Sequence, residues 1–227
     1  AAFALAPTGQ TPLRLLAGLS ATIAVGYGVR RNRPAHPLPW RLLIVAVAVS
    51  ALGSAALNAA GLAPSLAVLG DVLLVAAYPA LAAVLLIFVR RRTDRVRDRA
   101  ALLDALTVTA GVALLAWGLP SRSPGAVAYL SGALLCVGVL TRLLTVPGRW
   151  VPAGTVLGAG VTVLAGSDVA YFLIDGDSRL VPALGRFAMY TAAGLAALHP
   201  TMTVLTHPAG RPPADLSRVR LVLLGVA

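Results

Sequence analysis

The chain has 227 residues, of which 58% are hydrophobic and only 12% charged, with a formal net charge of +11. Water-soluble domains usually carry about 25% charged residues, so the composition excludes an ordinary soluble fold and points to helices in a membrane. All 19 basic residues are arginine and most sit in short loops between apolar stretches, which argues against the nucleic-acid reading that a strongly basic chain invites.

The first predicted span, residues 13–29, ends at Arg30, Arg31 and Arg33; Arg41 lies in the same loop. The second, residues 42–60, leads to an uncharged loop at 61–65. The third, residues 66–89, ends in RRRTDRVRDR, the most basic run of the chain, at 90–99. The fourth, residues 100–119, stops at Pro120 before a loop whose only charge is Arg122. The fifth, residues 126–146, meets a loop flanked by Arg142 and Arg149. The sixth, residues 150–174, ends at Asp175-Gly-Asp177, followed by Arg179. The seventh, residues 180–205, leads to a Pro-rich loop with Arg211, Arg218 and Arg220, and an eighth stretch begins at 217–227.

Each complete stretch is long enough to cross the ~30 Å hydrocarbon core as a helix. The expected fold is therefore all-α: one polytopic transmembrane bundle over 1–227, with seven complete spans and the start of an eighth. Loops with 4, 6, 2 and 3 arginines alternate with loops carrying 0, 1 and 1. The arginine-rich set is expected on the cytoplasmic side of a bacterial inner membrane, which places the N-terminus outside. The chain opens on Ala and stops inside the eighth stretch, so a segment of a longer protein is expected.

Trp40, Trp117 and Trp150 fall near predicted interfaces, where amphipathic rings anchor helices. Pro79 inside the third span removes a backbone donor and predicts a kink. Ser50/Ser54 and Gly154/Gly158 are small pairs at four-residue spacing, as at close helix contacts.

Chemistry narrows next. A retinal Schiff base needs a lysine, and the chain has none. One cysteine, Cys136, allows no intrachain disulfide, and it forms no metal-ligand spacing with His36, His199 and His207. No catalytic, cofactor or metal residues are expected. His199, before Pro200, reads as an interface histidine. Asp104 reads as an acid complementing the N-terminus of the fourth helix.

Ionisable groups at membrane depth cost ~2.5–3.5 kcal/mol each on insertion scales and mark functional sites. Asp168 in the sixth span and Arg186 in the seventh lie at similar depth and predict an ion pair. Asp71 lies near the outer end of the third span, with Tyr78 two turns deeper. One reading is an outward-facing polar pocket of Asp71, Asp168, Tyr171, Arg186 and Tyr190, open to an unidentified small molecule. The other is an ion pair plus residues that snorkel to water.

Four runs carry a resemblance. Residues 70–92, GDVLLVAAYPALAAVLLIFVRRR, and 90–119, RRRTDRVRDRAALLDALTVTAGVALLAWGL, resemble successive parts of the multi-span N-terminal region of actinobacterial membrane-bound diguanylate cyclases and bifunctional cyclase–phosphodiesterases. Residues 192–208, AAGLAALHPTMTVLTHP, resemble that region's "LHPSM" segment, and LSRVRLVLL at 216–224 resembles the helix start after it. The resemblance covers roughly residues 65–227. It implies a sensory or anchoring module ahead of cytoplasmic GGDEF and EAL domains, which dimerise and make or degrade cyclic-di-GMP. Those motifs are absent from the chain, so no catalytic residue carries over. The alternatives are a small-molecule transporter and the membrane module of a histidine kinase. The expected partners are the lipid bilayer, a second copy through the output domains, and a possible small ligand; nucleic acid is not one.

Overall fold

A computed structural model describes residues 7–92, 107, 109–111, 114, 124–145, 151–174 and 180–206. Among them are six long helices: α1 (Pro7–Asn32), α2 (Leu38–Asn58), α3 (Pro64–Arg92), α4 (Pro124–Thr145), α5 (Pro152–Ile174) and α6 (Leu180–Leu198). A 3-10 segment, η1 (Pro200–Thr206), follows, and no strand occurs among the described residues. Helix is the form that satisfies every backbone group within one segment, as an apolar environment demands. Proline at the first position of α3, α4 and α5 marks their starts, where its missing N–H costs nothing.

Five helices, α2 to α6, are long and apolar enough to cross a membrane. α1, with 26 residues, is not among the five; its first turns carry Thr8, Gln10, Thr11 and Arg14. The predicted fourth span and the start of the eighth lie outside the described residues, apart from isolated positions between 107 and 114. So do Asp104, His207, Trp117 and Trp150.

The seventh stretch is shorter than expected. α6 stops at Leu198, because Pro200 has no N–H to continue the ladder and disfavours helix at the residue before it. The chain tightens into η1 instead. Here Thr201 Oγ1 accepts from the Ala153 N–H (3.1 Å), so its own proton is free for His199 Nδ1 (2.8 Å). The Thr201 N–H also reaches Nδ1 (3.2 Å). His199 is thus a cap that ties the end of α6 to the start of α5.

The six helices form a closed ring. Each packs on its neighbour in chain order, and α1 closes the circle against α6. α2 and α3 approach closely at Gly53 and Gly70: a Cβ at Gly53 would come within 2.9 Å of the Gly70 carbonyl oxygen. α3 and α4 are parallel, since Tyr129 meets Asp71 and, two turns on, Cys136 meets Tyr78. This parallel pairing puts Arg92 and Pro124 at opposite ends of the bundle.

The arginines described at helix ends gather at one end of the ring. Arg30, Arg31, Arg33, Arg41, Arg90 and Arg91 are all exposed there, and Arg91 Nη1 donates to His36 Nε2 (3.5 Å). Leu19, Ile23, Val45, Leu52, Val72 and Leu195 face outward from the ring, where a bilayer would cover them. The inner faces bury Val25, Leu43, Leu85, Phe88, Leu157 and Val161. Trp40 departs from expectation. It is fully buried against Phe88, ring centroids 5.2 Å apart and edge to face, so it is a core residue and not an interface anchor. α3 remains helical through Pro79.

Candidate functional site

The site grows from what α3, α4, α5 and α6 present to the inside of the ring near the Asp71 end. α3 contributes Asp71 and, two turns deeper on the same face, Tyr78. α4 contributes Tyr129, α5 Asp168 and Tyr171, and α6 Arg186 and Tyr190. Two glycines let these groups converge. Gly132 lies flat against Tyr78, whose ring would be 2.5 Å from an added Cβ. Gly185 lies against Ser167, leaving no room for a side chain, and so brings the level of Arg186 to that of Asp168.

Asp168 has no solvent exposure. Its Oδ2 accepts a hydrogen bond from the Tyr78 hydroxyl, and its Oδ1 has no hydrogen-bond partner among the described residues. Arg186 is not its direct hydrogen-bond partner. The guanidinium instead lies over the Tyr129 ring, Cζ 5.4 Å from the centroid, within the ~6 Å reach of a cation–π contact. It is still close enough for its charge to act on Asp168, Tyr78, Tyr129 and Tyr190. The direct ion pair expected from the sequence is therefore replaced by a phenol–carboxylate bond with the arginine beside it. The reason is reach: Tyr78 extends from α3 to fill the position next to Asp168.

Tyr129 is the hub. Its hydroxyl donates to Asp71 Oδ1 (2.5 Å), and its ring meets Tyr171 edge to face at 6.5 Å and Tyr78 at 6.4 Å. Asp71, Tyr171 and Arg186 thus converge on a residue that the sequence reading passed over. Depth was the available signal, because Tyr129 lies one turn inside the start of its helix, at the level of Asp71. Tyr190 turns away from this hub. Its hydroxyl shares a hydrogen bond with Ser50 Oγ of α2 (2.9 Å). Ser50 was legible only as a small residue for packing.

A small cavity lies between α2, α3, α5 and α6, lined by Ser50, Tyr78, Arg186 and Tyr190 and otherwise by apolar side chains. Water-sized spheres fit over about 30 Å³ of it, room for one or two waters. The free Cys136 is buried, and its thiol contacts the Tyr78 carbonyl oxygen (3.7 Å). No group of three His, Cys, Asp or Glu residues able to hold a metal occurs among the described residues.

Chemically, the cluster is a set of hydrogen-bonded phenols and carboxylates around one guanidinium, spread over four helices. Such bonds hold only while the helices keep their spacing. Comparison of the chain with family models, with curated proteins and with solved structures finds no match. The functional argument therefore rests on the residues themselves.

Proposed function

We propose that this chain is the membrane-embedded sensory and anchoring module of a bacterial signalling protein, and that it regulates cytoplasmic synthesis or breakdown of cyclic-di-GMP. One observation carries the reading. Asp168 is wholly buried, bonded through one oxygen to Tyr78 of another helix and, among the described residues, unsatisfied at the other. A half-satisfied buried carboxylate is expensive to keep. Its arrangement with Arg186 and Tyr129 couples the positions of four helices, and a shift in any one of them repartitions these contacts. That is what a signal-transmitting bundle requires.

Two further points support the reading. The arginines gather at one end of the ring, which by the positive-inside tendency is the cytoplasmic end, so the polar cluster faces outward. The runs at 70–92, 90–119 and 192–208 resemble the membrane region of cyclic-di-GMP enzymes. The module sits in the inner membrane with its N-terminus outside, and a pair of copies is joined through the output domains.

The test measures cyclic-di-GMP in cells expressing the full-length protein, its Asp168→Asn variant and its Arg186→Ala variant. A severalfold change in either variant at equal protein abundance supports the proposal. Unchanged cyclic-di-GMP in both removes it. Altered autophosphorylation in place of cyclic-di-GMP would assign a kinase output, and solute uptake into proteoliposomes by this segment alone would assign transport.

A further inference from the structure

We infer that the cavity within the ring is a binding site for a carboxylate-headed amphiphile, a short single-chain acid whose head meets Arg186 and whose tail lies against Leu43, Val47 and Leu81. The inference deepens the sensory reading, and rests on it for the consequence of binding but not for binding itself.

Arg186 supplies the first argument. A guanidinium offers five N–H donors. The described residues give this one a ring face and no hydrogen-bond acceptor, and it lines the cavity. The acceptor that matches its planar fork is a carboxylate. Asp168 does not fill that role from within the cavity, because it has no exposed surface and is not part of the lining. The charge presented to the cavity is therefore positive.

Hydroxyl chemistry adds a second donor. Ser50 and Tyr190 share one hydrogen bond. One hydroxyl donates to the other, which leaves a single O–H free for an incoming oxygen.

The remaining walls set the tail. Leu43, Val47 and Ser50 lie along one face of α2, and Leu81 on the facing side of α3. The helices are antiparallel about the Gly53–Gly70 contact. Leu43 and Leu81 are thus deeper, toward the Arg92 end, while Ser50 is nearer the Asp71 end. Arg186 lies about one turn beyond Tyr190 in that same outward direction. Polarity therefore falls along the cavity from Arg186 to Leu43, which is the profile of an amphiphile.

Size gives the consequence. The present space holds only one or two waters, so a tail enters by parting α2 from α6. Direct contact between these two helices is sparse, far less than between α2 and α3 or α5 and α6. The Ser50–Tyr190 bond spans that gap and is the contact that must yield. Occupancy would move one side of the ring against the other.

The test is equilibrium binding of octanoate to the full-length protein in nanodiscs of zwitterionic lipid. Octanoate should bind saturably, and methyl octanoate, which lacks the charge, at least tenfold more weakly. Arg186→Gln should weaken octanoate at least tenfold. Ala46→Val, which narrows the cavity from α2 by two methyl groups, should do the same with the melting temperature retained. Equal binding of acid and ester, octanoate binding that ignores both substitutions, or saturable binding of an anionic phospholipid alone would overturn the inference. Octanoate binding with no change in cyclic-di-GMP output would leave the site standing and remove the sensory reading. Output that depends on Asp168 without octanoate binding would do the reverse.

Discussion

Tyr78 on α3 donates its hydroxyl to the buried carboxylate of Asp168 on α5. The bond crosses the ring between helices that are not neighbours around it. Tyr78→Phe leaves both oxygens of Asp168 without a donor among the described residues. An unsatisfied buried group costs about 1–3 kcal/mol, so the variant should melt several degrees lower in detergent. Asp168→Leu in the Tyr78→Phe background should recover part of that loss, because no unsatisfied buried carboxylate then remains. A double-mutant cycle over the four proteins reads the coupling. Additive effects would show that the bond contributes nothing.

Tyr129 makes two separable contacts, a hydrogen bond to Asp71 and a ring face under Arg186. Tyr129→Phe removes the first and keeps the second. Tyr129→Leu removes both. The expected order of thermal stability is wild type, then Phe, then Leu, with the first step about 0.5–1.5 kcal/mol and the second about 0.5–2 kcal/mol. Equal stability of the Phe and Leu variants would show that the arginine gains nothing from the ring.

Span positions were legible because apolar runs here lie between prolines and arginines, and both act locally. α2, α3, α4 and α5 begin and end within a few residues of the expected bounds. Facing was much less legible. Apolar residues surround each helix, so the pattern does not say which side turns inward. Trp40 therefore read as an interface anchor although it packs on Phe88. The same limit hid Tyr129 and Ser50. Charge drew attention to Asp71, Asp168 and Arg186, whereas the neutral hydroxyls that contact them depend on the order of helices around the ring. The parallel pairing of α3 with α4 is set by that order and by no local signal.

Gly132 and Gly185 test whether close approach, and not hydrogen bonding alone, assembles the cluster. Alanine at Gly132 would overlap the Tyr78 ring, and alanine at Gly185 would overlap Ser167. Overpacking of this kind costs about 1–3 kcal/mol. Gly166 faces open space on the same helix as Ser167, so Gly166→Ala serves as the control and should be neutral or slightly stabilising. Comparable melting temperatures for all three variants would mean that the helices can part at no cost.

The ring also makes a claim about sides. His36, in the α1–α2 connection, lies at the arginine end, and Ala63, in the α2–α3 connection, at the other. On the proposed orientation, which rests on the arginine distribution, His36 is expected on the cytoplasmic side and Ala63 on the outer side. Cys136 is buried, so a folded protein should give little background labelling by a thiol reagent. In intact cells, a membrane-impermeant maleimide should label Ala63→Cys and spare His36→Cys, and permeabilised cells should label both. The reverse pattern would invert the orientation and turn the Asp71–Tyr129 end of the cluster toward the cytoplasm. The outward-sensing reading would then fail, while the geometry of the cluster would stand. Labelling at both sites in intact cells would mean that these two loops share one side, which α2 forbids if it crosses the membrane.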